Sequence, residues 1–202
     1  MKERIQQKAE ELFERYGIRS VTMDEIAGQL GISKKTIYQS FSDKDELVDA
    51  VFQKRLEENE KQCLFDKKEA ENAIHEIFLA WNMIEEMLAA MNPSILYDLE
   101  KYHPSVFRKF LQYKNDFLYR VIYDNLERGI KEELYRGDFT IEIIARFRIG
   151  TIMMGFNMDV FPKNRFKLVD IEEQIILHFL HGIATPKGVK VIQKYYRQKT
   201  GK

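Results

Sequence analysis

The stretch SKKTIYQSFSDK, residues 33–44, gathers side chains suited to holding an anion: Ser33, Lys34, Lys35, Thr36, Tyr38, Gln39 and Lys44. If Ser33 caps a helix, Lys34 and Lys35 lie at the end where the backbone dipole already presents partial positive charge. That placement costs about 0.3 kcal/mol or more for each lysine. An external anion would offset the cost, and phosphate is the counter-charge expected for both. Lys44 follows the same logic in the first turn of a further helix capped by Ser42 or Asp43, where free N–H groups also favour an anion.

Three elements must position that stretch. Ile5, Ala9, Leu12, Phe13 and Tyr16 recur at steps of three and four, which predicts a helix over 3–16 ended by a left-handed cap at Gly17. Thr22 opens T-M-D-E, a capping box with Glu25, and Val21 and Ile26 occupy the hydrophobic-staple positions around it. The second helix therefore starts at Met23, buries Ile26, Ala27 and Leu30, and stops at Gly31. Ser33 caps a third helix over 34–41, with Ile32 and Ile37 as its staple. Two short helices joined by a glycine-containing turn make a helix-turn-helix, whose second helix commonly enters the DNA major groove.

At about 100° per residue, Ile37 and Phe41 turn toward the core while Lys35 and Gln39 point almost opposite, flanked by Thr36 and Tyr38. This outer face supplies donors for phosphates and base edges and carries no carboxylate. Glutamine can bridge adenine N6 and N7, and lysine can meet guanine O6 and N7. Blander readings stand beside these: a solvated lysine pair, Tyr38 as packing at the core edge, and Thr22 as a helix cap alone.

The run T-x-x-x-I-A-x-x-L-G-I-S from Thr22 to Ser33, the T-I-Y of Thr36 to Tyr38, Phe41, Lys44 and Glu46-Leu47 resembles the DNA-binding domain of the TetR family of bacterial transcriptional repressors. The resemblance implies that the third helix reads bases, that the Tyr38 hydroxyl and Lys44 ammonium hold phosphates, and that the region around Thr22 meets the DNA backbone. Base-reading positions vary within the family, so Lys34, Lys35 and Gln39 are assigned from helix geometry. The full candidate set is Thr22, Ser33, Lys34, Lys35, Thr36, Tyr38, Gln39 and Lys44.

The bulk composition bounds the rest. With 202 residues, 45% hydrophobic and 32% charged, and only ten Gly and four Pro, the chain suits long amphipathic helices, and an all-α fold is expected. The expected division is a helix-turn-helix DNA-binding domain over 1–47 and a C-terminal helical ligand-binding and dimerisation domain over 48–202. Balanced charge, 32 basic against 32 acidic residues, predicts no polyanion partner from the whole surface, so a nucleic-acid site must be local. The single cysteine, Cys63, cannot form an internal disulfide, and no Cys/His set has zinc spacing. No apolar signal segment or membrane span is evident, and a cytoplasmic protein is expected.

Further helices are expected over 45–60, 71–91, 94–101, 104–129, 140–160, 168–183 and 187–199, with the charged DKKEAEN at 66–72 as a break. Aromatic residues and methionines crowd the middle of the chain. At helical spacing they read first as core, although such residues also line adaptable apolar sites. Because the TetR resemblance implies a small-molecule inducer in the C-terminal domain, Trp81, Met87, Phe110 and Tyr113 are its candidate wall residues. Segments 139–161 and 171–183, with Gly150 and Gly155 open to close approach, form a natural pair for a two-fold four-helix interface or, alternatively, the central core of a monomer.

His178 and His181 share a helix face without a third ligand in evidence, so neither a metal nor another cofactor is expected. No phosphate-loop, dinucleotide, zincin or nucleophile-elbow motif occurs, and the chain is not expected to be an enzyme. The function expected is a homodimeric repressor at a pseudo-palindromic DNA operator, released by an apolar or amphipathic inducer. A DNA-binding regulator without a ligand and a helical interaction module are the alternatives.

Overall fold

A computed structural model describes residues 1–162 and 164–201, and among these the fold is all-α. The helices are α1 (Lys2–Tyr16), α2 (Met23–Leu30), α3 (Lys34–Ser40), α4 (Lys44–Glu69), α5 (Ala73–Ala90), α6 (Ile95–Tyr102), α7 (Pro104–Tyr113), α8 (Tyr119–Lys131), α9 (Ile141–Gly155), α10 (Leu168–Ile183) and α11 (Pro186–Thr200). A π-helical turn, Lys114–Leu118, joins α7 to α8. Among the described residues no helix is long and apolar enough to cross a membrane.

The chain forms two compact units, residues 1–60 with 90–113 and residues 61–89 with 114–202. This partition differs from the expected division at 47/48, because α4 continues unbroken through that position and residues 90–113 return to the N-terminal unit. The first unit packs Ile5, Ala9, Leu12 and Phe13 of α1 with Ile26, Ile37, Phe41 and Leu47, and adds Ile95, Leu99 and Val106 from α6 and α7. Backbone polar groups tie the returning segment in place. The Asn92 N–H donates to the Glu14 carbonyl at 2.7 Å, and the Arg19 N–H donates to the buried Asp98 carboxylate at 3.0 Å.

The second unit has its own core, in which Ala73, Ile74, Phe78 and Trp81 meet Leu126, Tyr135, Ile176, Leu180 and Ile192. Expected boundaries move here, and α9 ends at Gly155 where a helix to 160 was expected. The charged run DKKE extends α4 to Glu69, since Lys and Glu are good helix formers, and the break comes at 70–72. There Asn72 Oδ1 accepts from the N–H groups of Ile74 and His75 at 3.1 and 3.0 Å. Gly129 does not end α8, which runs to Lys131. A Cβ at Gly129 would stand 2.0 Å from the Tyr135 ring, so glycine there makes room for a buried tyrosine whose hydroxyl donates to Asn125.

Candidate nucleic-acid interface

The reading head is built by local capping. At the start of α2 the Thr22 hydroxyl accepts from the Glu25 N–H at 3.1 Å while the Glu25 carboxylate accepts from the Thr22 N–H at 3.0 Å, completing the capping box. Gly31 ends the helix at φ 65°, a left-handed conformation that glycine reaches without steric cost. Ser33 then caps α3, its Oγ accepting from the Thr36 N–H at 3.1 Å. The Thr36 hydroxyl lies 2.8 Å from the same Oγ, within hydrogen-bond reach. Both staple pairs turn inward: Val21, Ile26 and Ile37 are buried, and Ile32 packs against the core.

This frame presents Lys34, Lys35, Tyr38 and Gln39 on the solvent side of α3, with Thr36 half-buried beside them. Tyr38 is 42% exposed, enough to free its hydroxyl for an external partner. The two lysines differ. Lys34 meets Asp24 of α2 at 2.8 Å, and that hydrogen bond, reinforced by the carboxylate charge, raises its pKa. The expected need for an external counter-charge is therefore already met at Lys34 by Asp24. Lys35 has no ion-pair partner among the described residues and is the cation on this face left for a phosphate or base.

Lys44 occupies the first turn of α4, where Asp43 Oδ1 caps the helix by accepting from the Glu46 N–H at 2.8 Å. Its ammonium is half-buried and donates to the Ile18 carbonyl at 2.6 Å. Desolvation lowers its pKa, opposed by the charges of Asp98, Asp45 and Glu25. An ammonium has three protons to donate, so the bond to Ile18 leaves two for an anion. One turn along, the Ser42 N–H and hydroxyl both donate to the Glu46 carboxylate at 2.7 and 2.9 Å. Sequence reading missed Asp24, Ile18 and Asp98 as neighbours of the predicted cations, since each reaches them from another element.

The residues expected to line an inducer site are distributed between the two units. Trp81 is buried in the core of the second unit, packed near Phe78 and Tyr196 with the Lys199 ammonium 4.9 Å from its ring centre. Its surroundings make it a core residue. Met87, in the same unit, and Phe110 and Tyr113, in the first, are half-buried. A groove of about 770 Å³ lies along α9, α10 and the segment between them, lined by Phe147, Met154, Phe161, Phe166, Ile175 and Phe179 among others. None of the four expected wall residues contributes to it. Gly150 opens onto this groove, whereas a Cβ at Gly155 would meet Ile171 and Ile175 of α10 at ordinary contact distance.

Residues 5–51, which span this head, match the family described as bacterial regulatory proteins, tetR family. Residues 5–51 thus carry a DNA-binding domain of the tetR family. The chain is 25% identical over 166 residues to an uncharacterized HTH-type transcriptional regulator, YvaF, of Bacillus subtilis, covering 81% of this chain and 86% of that protein. Its fold is similar to that of a transcriptional regulator from Saccharomonospora viridis in complex with choline, with a TM-score of 0.73 and 16% identity over 91% of this chain and 97% of the other. It is also similar to the fold of Thermus thermophilus FadR, a TetR-family repressor in complex with lauroyl-CoA, with a TM-score of 0.59 and 18% identity over 92% and 96% of the chains. The matched residues 5–51 include α3 with its exposed face and the two capped helix starts that frame it.

Proposed function

We propose that this transcriptional regulator is a homodimeric repressor that binds a pseudo-palindromic duplex operator and leaves it when a small apolar or amphipathic molecule enters its C-terminal helical domain, residues 48–202. The observation that carries the reading is the solvent face of α3: Lys35, Tyr38 and Gln39 exposed, Thr36 beside them, and no carboxylate on the helix. Lys35 and Gln39 have the chemistry to read base edges. Tyr38, Thr22, Ser33, Thr36 and Lys44 serve the phosphate backbone, and Lys34, braced by Asp24, fixes the entry of α3.

A seven-residue helix reads only a few bases, so specificity requires a second copy at a second half-site. The exposed apolar side chains of Ile143, Phe147 and Met154 on α9, with open space at Gly150, support pairing of α9 and α10 with the same helices of another protomer. The lauroyl-CoA and choline bound by the two structural relatives support a small-molecule effector in this fold. Helix α4 carries Lys44 at one end and continues for 26 residues, so a shift of α4 would move a phosphate contact. Effector and operator then weaken each other by the same factor, typically about 1–3 kcal/mol. A regulator without a ligand is the second reading, favoured by the filled surroundings of Trp81.

Selection of duplexes from a random-sequence library tests the proposal. The expected product is a pseudo-palindrome whose halves lie one or more helical turns apart. Enrichment of an asymmetric sequence, or no enrichment, contradicts it.

A further inference from the structure

Outside the α3 face, the first unit carries a cluster in which two cations stand over tyrosine rings. The Arg19 guanidinium lies 5.4 Å from the centre of the Tyr102 ring. The Lys101 ammonium lies 5.4 and 5.5 Å from the centres of Tyr97 and Tyr102 and donates to the Tyr97 hydroxyl at 3.0 Å. Tyr97 is 49% exposed, and Arg19 and Lys101 are both at the surface. Neither cation has an ion-pair partner among the described residues, whereas Lys34, Arg55 and Lys109 of the same unit are each paired with a carboxylate. Glu100, the neighbouring acid of α6, pairs with neither.

The cluster is attached to the reading head. Arg19 belongs to the turn that leads into Thr22, and its N–H is held by Asp98 of α6. The preceding residue, Ile18, gives its carbonyl to Lys44 at the start of α4. One short turn therefore links the cation–tyrosine cluster to the N-termini of α2 and α4, the two helix ends expected at the phosphate backbone. A protein partner of ordinary affinity would need an apolar centre of contact, whereas the exposed rings of Tyr97 and Tyr102 carry cations over them and the aliphatic Ile95 and Leu99 of α6 are buried.

We propose that Arg19, Tyr97, Lys101 and Tyr102 form a second duplex contact, which takes phosphates of flanking DNA beyond the half-site read by α3. The inference rests on the reading of the head as a duplex-binding unit. The rings hold the two cations in place without neutralising them, so a duplex that has passed Thr22 and Lys44 meets two further unpaired positive charges. These contacts add affinity and lengthen the footprint without adding sequence preference.

The test uses the full-length protein and a duplex obtained by selection from a random-sequence library, prepared in two lengths. One ends at the half-site edges, and the other carries about 10 extra base pairs, roughly one helical turn, on each side. The wild type is expected to bind the longer duplex with a steeper dependence of log K on log salt, by about two per protomer for two added phosphates. The Arg19→Ala, Lys101→Ala variant should lose that difference and keep its sequence preference, and Arg19→Lys, Lys101→Arg should retain both. If the alanine variant keeps the length dependence, or the wild type shows none, the cluster is not a duplex contact. A cluster that serves an acidic protein surface gives that same negative result. Failure of the underlying reading is separately visible, because no duplex would then be selected at all.

Discussion

Lys34 ends on a carboxylate and Lys35 in solvent, so under the proposed function two adjacent lysines divide between bracing α3 and meeting the DNA. Lys44 and Gln39 divide in a similar way. Gln39→Ala should lower affinity for the selected operator by about 1–3 kcal/mol and relax preference at one base position per half-site, with little change on scrambled DNA. Lys44→Ala should weaken all duplexes alike and flatten the salt dependence by about one per protomer. It should also destabilise the head, since the Ile18 carbonyl loses the shorter of its two hydrogen bonds and keeps only that from the Val21 N–H at 3.4 Å. Binding titrations on the two duplexes at several salt concentrations read all of these, and identical profiles for the two variants would show the sorting to be wrong. At this scale the caps were legible in the sequence, because Thr22, Glu25 and Ser33 act within three residues of themselves. Asp24 beside Lys34, and Asp98 on the N–H of Arg19, were not, because they come from other helices, in one case 79 residues away.

The helices themselves were read nearly end for end where a capping residue or a left-handed glycine marks the boundary, as at Met23, Gly31 and Lys34. Errors fell where tertiary packing overrides the local signal. The charges of DKKE look like a linker until Lys67 is seen paired with Asp124 of α8 at 2.9 Å, and Gly129 looks like a stop until the Tyr135 ring is seen against it. Packing of α9 on α10 adds an element invisible in either helix alone: Arg148 and Glu172, both buried, meet at 2.7 Å with one guanidinium nitrogen, Nη1, left unpaired. Burial raises the Glu172 pKa above 4.5, with Arg148 opposing. The folded form thus binds this proton more readily than the unfolded chain does, and stability falls as pH rises from 4.5 through the raised folded value. Glu172→Leu should cost about 3–5 kcal/mol by stranding a buried guanidinium, while Arg148→Met, Glu172→Met should be near neutral or stabilising and should remove that slope. Urea unfolding between acid and neutral pH measures both, and equal losses in the single and double variants would contradict the assignment.

Across the whole molecule, the helix-turn-helix fold of residues 5–51 was legible because its caps, staples and glycine turn are local signals. Pocket walls were not legible, because a pocket wall and a filled core use the same residues; Trp81 reads equally well as either until its core neighbours are known. The return of residues 90–113 to the N-terminal unit had no sequence signal either, since it rests on hydrogen bonds such as that from Asn92 to Glu14. Assembly is the remaining property at this scale. Phe147 is 53% exposed on α9 beside the open Gly150, and Phe147→Glu should leave a folded monomer that retains weak binding to a single half-site and loses tight binding to the pair. Sedimentation together with binding to full and half sites would show this, and an unchanged oligomer would remove α9 from the interface. The central claim, that the exposed face of α3 reads DNA, is tested most directly by measuring binding of the wild type and of Lys35→Ala, Gln39→Ala to the selected duplex against a scrambled competitor. Selective binding by the wild type that collapses to the scrambled level in the variant is the predicted result, and equal selectivity in the two proteins would contradict it.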